Sequence, residues 1–253
     1  MQTINQKYFN IGVAAGLAFI LELIVALGFY MTYDPSYAGA HRLFKLLGGD
    51  LPLGLIQAFT FFLFFYGMLD VRTKNKAIET EQLMFNRELL PIEDNDRLSI
   101  TDIEQLRQKL TEIERRNPSV LGGLIRKSAI AFLSNKSIND TLNLISTHIR
   151  IKQADSDSEQ ALIRYVAWAV PSVGFIGTVI GIAASLGIAN QATSENGIKA
   201  VTDLLEVAFD STLIALLLDT VFVFYVHSLQ ERSEKLYSQM EAYMIENFIN
   251  RIN

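Results

Sequence analysis

Four long apolar runs alternate with polar segments along the chain. They cover residues 11–33, 51–70, 165–189 and 206–230. Each run is long enough to cross the roughly 30 Å hydrocarbon layer of a bilayer, which takes about 20 helical residues. The pattern therefore predicts an all-α, polytopic membrane protein with four transmembrane helices.

The polar segments between these spans define the rest of the organisation. They are residues 1–10, 34–50, 71–164, 190–205 and 231–253. The long segment lacks strand-like alternation and carries helical 3/4 spacing, so we expect it to be helical. A polar helical pattern leads from there into the third span, and the tail continues the fourth. We therefore expect both spans to extend into a helical region outside the membrane.

Lysine and arginine are distributed unevenly among the segments, which predicts the orientation. Residues 71–164 hold 15 of the 22 basic residues, whereas the loop 190–205 has only Lys199. Basic residues favour the cytoplasmic side of a membrane. Both termini and the long polar segment are therefore expected in the cytoplasm, and the loops 34–50 and 190–205 outside it. No small-residue cleavage site follows the first apolar run, so we do not expect a cleaved signal peptide.

One helix of the long polar segment has a clear predicted start. Thr101 and Glu104 have the spacing of a capping box, in which hydroxyl and carboxylate satisfy free backbone N–H groups. Behind them an apolar stripe recurs at helical spacing and must pack on something, namely Ile103, Leu106, Leu110 and Ile113. Asn117-Pro118 is expected to end that helix.

Composition excludes several classes of function. Half of the residues are hydrophobic, 19% are charged, and the net charge of −5 gives no reason to expect nucleic-acid binding. Cysteine is absent, and the three histidines, His41, His148 and His227, lack metal-ligand spacing. With no nucleophile–base pair in the spans, we expect no enzyme activity, no metal and no cofactor.

The third span carries a face of small residues. Gly177 and Gly181 form a small-xxx-small pair, as do Gly174 and Thr178, so a neighbouring helix can approach closely. Ser185 lies seven residues beyond Thr178, nearly two turns, and so shares its face.

The fourth span repeats this arrangement with Thr212, Ala215 and Asp219 at i, i+3 and i+7. Two faces of this kind are compatible with a narrow polar path for a proton or a partly dehydrated cation. The alternative is tight packing, with each threonine bonded to the carbonyl one turn earlier in its own helix. The spacing alone leaves both open.

A family resemblance adds to this reading. Pro171 to Gly181 resembles the glycine-rich "P-x-x-G-x-x-G-T-V-x-G" span of the MotA/TolQ/ExbB proton channel family. Ala208 to Leu216 is similar to that family's "A-L-x-T-T-x-x-G-L" span, although Ala215 replaces the usual glycine. The resemblance covers about residues 165–230.

The resemblance implies a subunit of an ion-driven motor in a bacterial inner (cytoplasmic) membrane. Five copies would surround a dimer of a single-span MotB/TolR/ExbD-like partner, whose transmembrane aspartate carries the transported ion. Thr178 and Thr212 would face that partner, with Ser185 and Ser211 beside the ion pathway.

Three acids inside the predicted spans are unusual, because a charge at mid-bilayer costs several kcal/mol. Asp219 is an additional ion-handling carboxylate, the counter-charge of a partner's cation, or a protonated acid bonded across a helix interface. Asp210 is placed nearer the non-cytoplasmic end, where a pore mouth is one possibility. Glu22 lies in the first span, and its candidate roles are conduction or contact with another helix or with lipid headgroups.

The runner-up function is a non-conducting membrane scaffold whose cytoplasmic helices recruit other proteins. The sequence does not distinguish protons from sodium. It also leaves open whether the output is nutrient import, envelope maintenance, gliding or flagellar rotation.

Overall fold

The fold was obtained as a computed structural model, which describes residues 2–51, 54–87, 89–90, 97–116, 118–191 and 193–252. The described residues form eight α-helices: α1 Gln2–Met31, α2 Ala38–Leu46, α3 Leu55–Phe85, α4 Ile100–Arg116, α5 Val120–Asn135, α6 Ile138–Glu159, α7 Ala161–Gly187 and α8 Glu195–Asn247. Short 3₁₀ turns follow at Pro35–Tyr37, Ala189–Gln191 and Ile249–Arg251. The predicted all-α class is confirmed.

Four helical stretches of the described chain are long and apolar enough to cross a membrane. They are Asn5–Met31, Leu55–Phe85, Ile138–Gly187 and Glu195–Arg251. Each overlaps one of the four predicted apolar runs, although Pro52 and Leu53 of the second run lie outside the described residues. The orientation and the projection of the third and fourth helices into the cytoplasm stay predictions.

The chain divides into two compact units. The first, here the membrane unit, comprises Met1–Arg72 and Leu162–His227. The second, here the polar unit, comprises Thr73–Ala161 and Ser228–Asn253. Helix α8 contributes its first part to the membrane unit and its second part to the polar unit.

Within the membrane unit, α1, α3 and α8 pack together through one apolar cluster. Ala18, Phe61 and Ile214 form its centre, and each is more than nine-tenths buried. The small side chain of Ala18 lets α1 approach the aromatic face of α3, which carries five phenylalanines between positions 59 and 65. This cluster holds α1 and α3 against α8.

Helix α2 lies in the segment that the sequence analysis treated as a loop. Asp34 starts the preceding 3₁₀ turn, because its carboxylate accepts a hydrogen bond from the Ser36 backbone N–H at 2.8 Å. The ring of Phe44 occupies the space that a Cβ at Gly28 would need, so α2 folds back along α1. The helix therefore carries its basic residues, Arg42 and Lys45, onto the membrane unit.

In the polar unit, α4 packs on α5 and α5 packs on α6. Ile103 and Leu110 of the predicted stripe are fully buried, and Leu106 and Ile113 are half-buried. The interpretation of this stripe as a packing face is confirmed. Met240, from the C-terminal part of α8, is also fully buried within this unit.

The predicted capping box was wrong by two residues. Helix α4 begins at Ile100, so Ser99 rather than Thr101 precedes the first helical residue. The Ser99 backbone N–H and hydroxyl donate to Asp102 Oδ2 at 2.9 and 2.5 Å, and the Asp102 N–H donates back to Ser99 Oγ at 3.3 Å. The pairs Ser99–Asp102 and Thr101–Glu104 both have the spacing of a capping box. Because the helix begins at Ile100, Ser99–Asp102 forms the cap. The bonds from Ser99 hold the pKa of Asp102 below its ordinary value, so this cap weakens as the pH falls through that lowered pKa.

Candidate functional site: the α7–α8 interface

Helices α7 and α8 form an antiparallel pair in the membrane unit. Gly181 lies against Ala208, Gly177 against Ser211, and Gly174 against Ala215. Along this contact, residue numbers increase on α8 as they decrease on α7, so the helices are antiparallel. Seven residues separate the end of α7 from the start of α8, which explains why the two helices are neighbours.

The three glycines bring the two backbones into direct contact. A Cβ on Gly181 would lie 2.5 Å from Ala208 Cβ and 3.0 Å from Ala208 Cα. A Cβ on Gly174 would lie 3.1 Å from the Ser211 carbonyl oxygen and would collide with Ala215 Cβ. Any larger residue at these positions would push the helices apart. The predicted small-xxx-small face is therefore the contact surface of α7 with α8.

Thr178 and Thr212 bond across this contact in a reciprocal way. The Thr178 hydroxyl donates to the Ala208 carbonyl oxygen at 3.0 Å, and the Thr212 hydroxyl donates to the Gly174 carbonyl oxygen at 2.8 Å. Gly174 is one turn before Thr178, and Ala208 is one turn before Thr212. Each threonine therefore bonds to a carbonyl of the neighbouring helix, at the position one turn before the other threonine. The packing alternative had each threonine bonded to a carbonyl of its own helix.

The two threonine hydroxyls also contact each other directly. The two hydroxyls carry two protons but make three contacts: one with each carbonyl oxygen and one between the two hydroxyl oxygens. When both hydroxyls donate to carbonyls, two oxygen atoms with free lone pairs face each other. Both side chains are half-buried, so this oxygen pair lies at the edge of the interface rather than deep inside it.

The two serines named from the sequence lie in the same interface. Ser211 is buried, and its hydroxyl donates to the Ala208 and Gly174 carbonyl oxygens at 2.8 and 3.3 Å. Ser185 is also buried and donates to the Val201 carbonyl oxygen at 3.1 Å. A line of hydroxyls therefore follows the α7–α8 contact over about three turns.

Asp210 is held by a basic residue of α2. Its carboxylate receives two bonds from the Arg42 guanidinium at 2.6 and 2.7 Å, and the residue is only 3% exposed. Arg42 Nε also pairs with Glu206 at 2.7 Å, and Glu206 pairs with Lys45 at 2.5 Å. The bonds with Asp210 raise the pKa of the Arg42 guanidinium, so Arg42 remains charged across the physiological range.

Sequence reasoning missed this ion-pair network, although a signal for it exists. Asp203, Glu206 and Asp210 follow one another at i, i+3 and i+7 and so share one face of α8. Arg42 and Lys45 have the same spacing of three on α2. Two complementary faces of this kind predict a contact, provided that the loop is recognised as a helix.

The structure brings neither of the other two acids into the threonine pair. Asp219 is half-buried, and its Oδ1 atom is buried with no hydrogen-bond partner among the described residues. Glu22 lies on α1, beside the turn that precedes α3. Among the residues that the structure describes, no three His, Asp or Glu side chains are grouped to hold a metal ion.

Comparison with known proteins supplies the family. Residues 117–242 match the profile of the MotA/TolQ/ExbB proton channel family. The chain belongs to this family. The match includes all of α7 and residues 195–242 of α8, and therefore the glycine contacts and both threonines. No curated protein and no solved structure matches the chain significantly.

Membership in the MotA/TolQ/ExbB family settles the coarse assignments. Together with the four apolar helices, it makes the chain a multi-pass membrane protein. It indicates an ion-channel, stator-like function and an oligomeric assembly with a single-span partner in general.

Proposed function

We propose that the chain is the ion-channel subunit of a motor driven by the ion-motive force, in the bacterial inner membrane. Five copies would surround a dimer of a single-span MotB/TolR/ExbD-like partner and convert proton or sodium flow into mechanical work. Both termini and the polar unit would face the cytoplasm. The observation that carries this proposal is the reciprocal pair of Thr178 and Thr212.

The oxygen pair of these threonines suits a partner that carries a carboxyl group. Both hydroxyl protons are used by the carbonyls of Ala208 and Gly174, which leaves lone pairs free to accept a proton donor. A protonated aspartate on the partner helix supplies such a donor, and a partly dehydrated sodium ion would use the same lone pairs. Since the threonines are half-buried, an adjacent helix has access to them.

Exposed apolar side chains on α7 and α8 support an assembly in a membrane. Phe175 and Ile176 on α7, and Phe209 and Leu216 on α8, are at least half exposed in the isolated chain. Such faces are stable only against lipid or against another apolar helix. In the proposed pentamer these side chains would contact neighbouring copies and lipid.

The energy for the motor would come from the ion gradient. A potential near 150 mV makes roughly 3.5 kcal/mol available per elementary charge, which is several times thermal energy. Each ion that neutralises the partner's carboxylate would let that helix step to the next threonine pair. Asp219, seven residues beyond Thr212, is proposed as a further ion-handling group on this route. Under this proposal the chain has no catalytic site of its own.

Native mass spectrometry of the full chain tests the assembly. The chain would be extracted in mild detergent, alone and together with a candidate single-span chain that bears one transmembrane aspartate. We expect about 142 kDa for five chains of 28.4 kDa each, and a further mass of two partner copies after co-expression.

An unrelated single-span protein of similar length is the control and should add no mass. A monomer or dimer that ignores the candidate partner would contradict the motor proposal and favour the scaffold alternative.

A further inference from the structure

Two buried polar side chains of the membrane unit lie beside the turn that precedes α3. Glu22 lies on α1 and is 9% exposed, and Gln57 lies on α3 and is 1% exposed. Neither residue belongs to the ion-pair network of α2 and α8. Both interrupt helices that are otherwise apolar at this level.

The packing of α1 against α3 brings their positions to the same level. Ala18 and Phe61 belong to one apolar cluster, and Glu22, further along α1, lies beside Gly54, which precedes α3, so the two helices run in opposite directions. Glu22 is one turn after Ala18, and Gln57 is one turn before Phe61. When two antiparallel helices meet at one pair of residues, the residue one turn further on the first helix lies near the residue one turn earlier on the second.

A tight turn before α3 brings the two side chains to the same place. Gly48 has a φ of +104°, and its carbonyl oxygen lies against the Cα of Gly54. Glu22 Oε1 is 3.1 Å from the position that a Cβ on Gly54 would take, and Gln57 Cβ is 2.9 Å from that of a Cβ on Gly48. Glycine at both positions therefore leaves the room that these side chains occupy.

All four polar atoms of the two side chains are buried and without a partner among the described residues. These atoms are Oε1 and Oε2 of Glu22 and Oε1 and Nε2 of Gln57. A buried polar group without a hydrogen bond costs a few kcal/mol, and a buried unpaired charge costs more. The amide N–H groups of Gln57 could donate to either form of the carboxyl group, so the missing bond shows that the two side chains are not paired in these rotamers.

No cation in the part of the chain that the structure describes is bonded to Glu22. On α2, Arg42 and Lys45 are bonded to acids of α8, and the His41 ring contacts the Phe29 carbonyl oxygen at 3.2 Å. The other ionisable group nearby is Asp50 in the turn itself, whose charge has the same sign as that of Glu22. The described basic residues of α2 are therefore engaged elsewhere and do not pair with an ionised Glu22.

One added proton removes the charge of Glu22 and allows the two side chains to pair. An ionised carboxylate only accepts, so it would take one N–H from Gln57 and leave the amide oxygen unpaired. A protonated carboxyl group has one donor and one acceptor, which match the acceptor and the donor of a primary amide. Two hydrogen bonds then close a ring between the side chains, and no net charge remains in the bilayer.

We propose that Glu22 and Gln57 form a proton-binding site between α1 and α3. After a rotation of the two side chains towards each other, the carboxyl O–H of Glu22 donates to Gln57 Oε1, and Gln57 Nε2 donates to the other Glu22 oxygen. The bound species is a proton, held at neutral pH. This site is separate from the Thr178–Thr212 pair, and the inference does not depend on the proposed motor function.

Infrared spectroscopy of the full-length chain in lipid nanodiscs tests the site at neutral pH. A difference spectrum between wild type and Glu22→Gln is expected to show the loss of a carboxylic-acid C=O band that shifts in D₂O. The near-isosteric Gln57→Met variant removes the amide, and we expect it to move this band to higher wavenumber. Helical circular dichroism and the elution volume confirm that each variant is folded.

Asp210→Asn is the matched control, because Asp210 is also buried but is paired with Arg42. Its difference spectrum should lose carboxylate bands and no acid band. If Glu22→Gln likewise loses only carboxylate bands, Glu22 is ionised and the site is not a proton site. An acid band that does not move in Gln57→Met would overturn the pairing with Gln57. Wild type labelled with ¹³C in the glutamate carboxyl group shows, without a variant, whether the acid band comes from a glutamate.

Discussion

Replacing Gly181 with leucine is expected to separate α7 from α8 and to destabilise the membrane unit by about 3 kcal/mol or more. A Cβ at this position already lies 3.0 Å from Ala208 Cα and 3.2 Å from its backbone nitrogen. Backbone atoms in a helix cannot move aside as a flexible side chain does, so the helices must shift. The shift would also break the bond between Thr178 and the Ala208 carbonyl oxygen. Denaturant unfolding of the purified protein in detergent measures the effect.

Gly187→Leu is the matched control for this prediction. Gly187 ends the same helix, and nothing lies within 4 Å of the Cβ that would be added there. We expect this variant to unfold within about 0.5 kcal/mol of wild type, as surface substitutions do. Equal stability of the two leucine variants would show that the glycine contact does not hold α7 and α8 together.

The second large effect is expected at Arg42. Arg42→Ala leaves the Asp210 carboxylate buried without its cation, and we expect a loss of roughly 2–3 kcal/mol. The figure lies at the low end for a buried pair because the Arg42 side chain is 45% exposed. Adding Asp210→Asn to Arg42→Ala should restore part of the stability, since the uncompensated charge is removed.

A double-mutant cycle on Arg42 and Asp210 measures this coupling. The Lys152–Asp155 pair of α6, which is exposed on both sides, is the control and should give about 0.5 kcal/mol or less. A coupling for Arg42 and Asp210 that does not exceed the control would mean that α2 is not anchored to α8 through this pair.

The spans and the interface of α7 with α8 could be predicted from the sequence because both depend on local periodicity. Four apolar runs of sufficient length predicted the membrane-spanning helices, and the spacing of Gly174, Gly177 and Gly181 predicted the contact face of α7. The spacing of seven residues also placed Thr178 and Ser185 on one side of α7. Each of these conclusions uses residues within a few turns of one another.

The partners of these residues could not be predicted, because they come from distant parts of the chain. Arg42 and Asp210 are 168 positions apart, and their bond depends on α2 folding back along α1. The reciprocal bonds of Thr178 and Thr212 depend on the register between α7 and α8, which glycine spacing alone does not fix. Glu22 was recognised as unusual, whereas Gln57 was overlooked because an amide in an apolar run attracts less attention than a charge.

The central claim is that the Thr178–Thr212 oxygen pair conducts the ion. It is tested most directly by ion flux into vesicles that contain the chain and its co-purified single-span partner, followed with a proton dye and with a sodium dye. Thr178→Val and Thr212→Val keep the side-chain shape but remove the oxygen, and Thr178→Ser and Thr212→Ser keep the hydroxyl. We predict that each valine variant lowers the flux roughly tenfold or more, which corresponds to about 1.4 kcal/mol at the barrier, and that each serine variant retains it. Wild-type flux in both valine variants, with the assembly intact, would contradict the account.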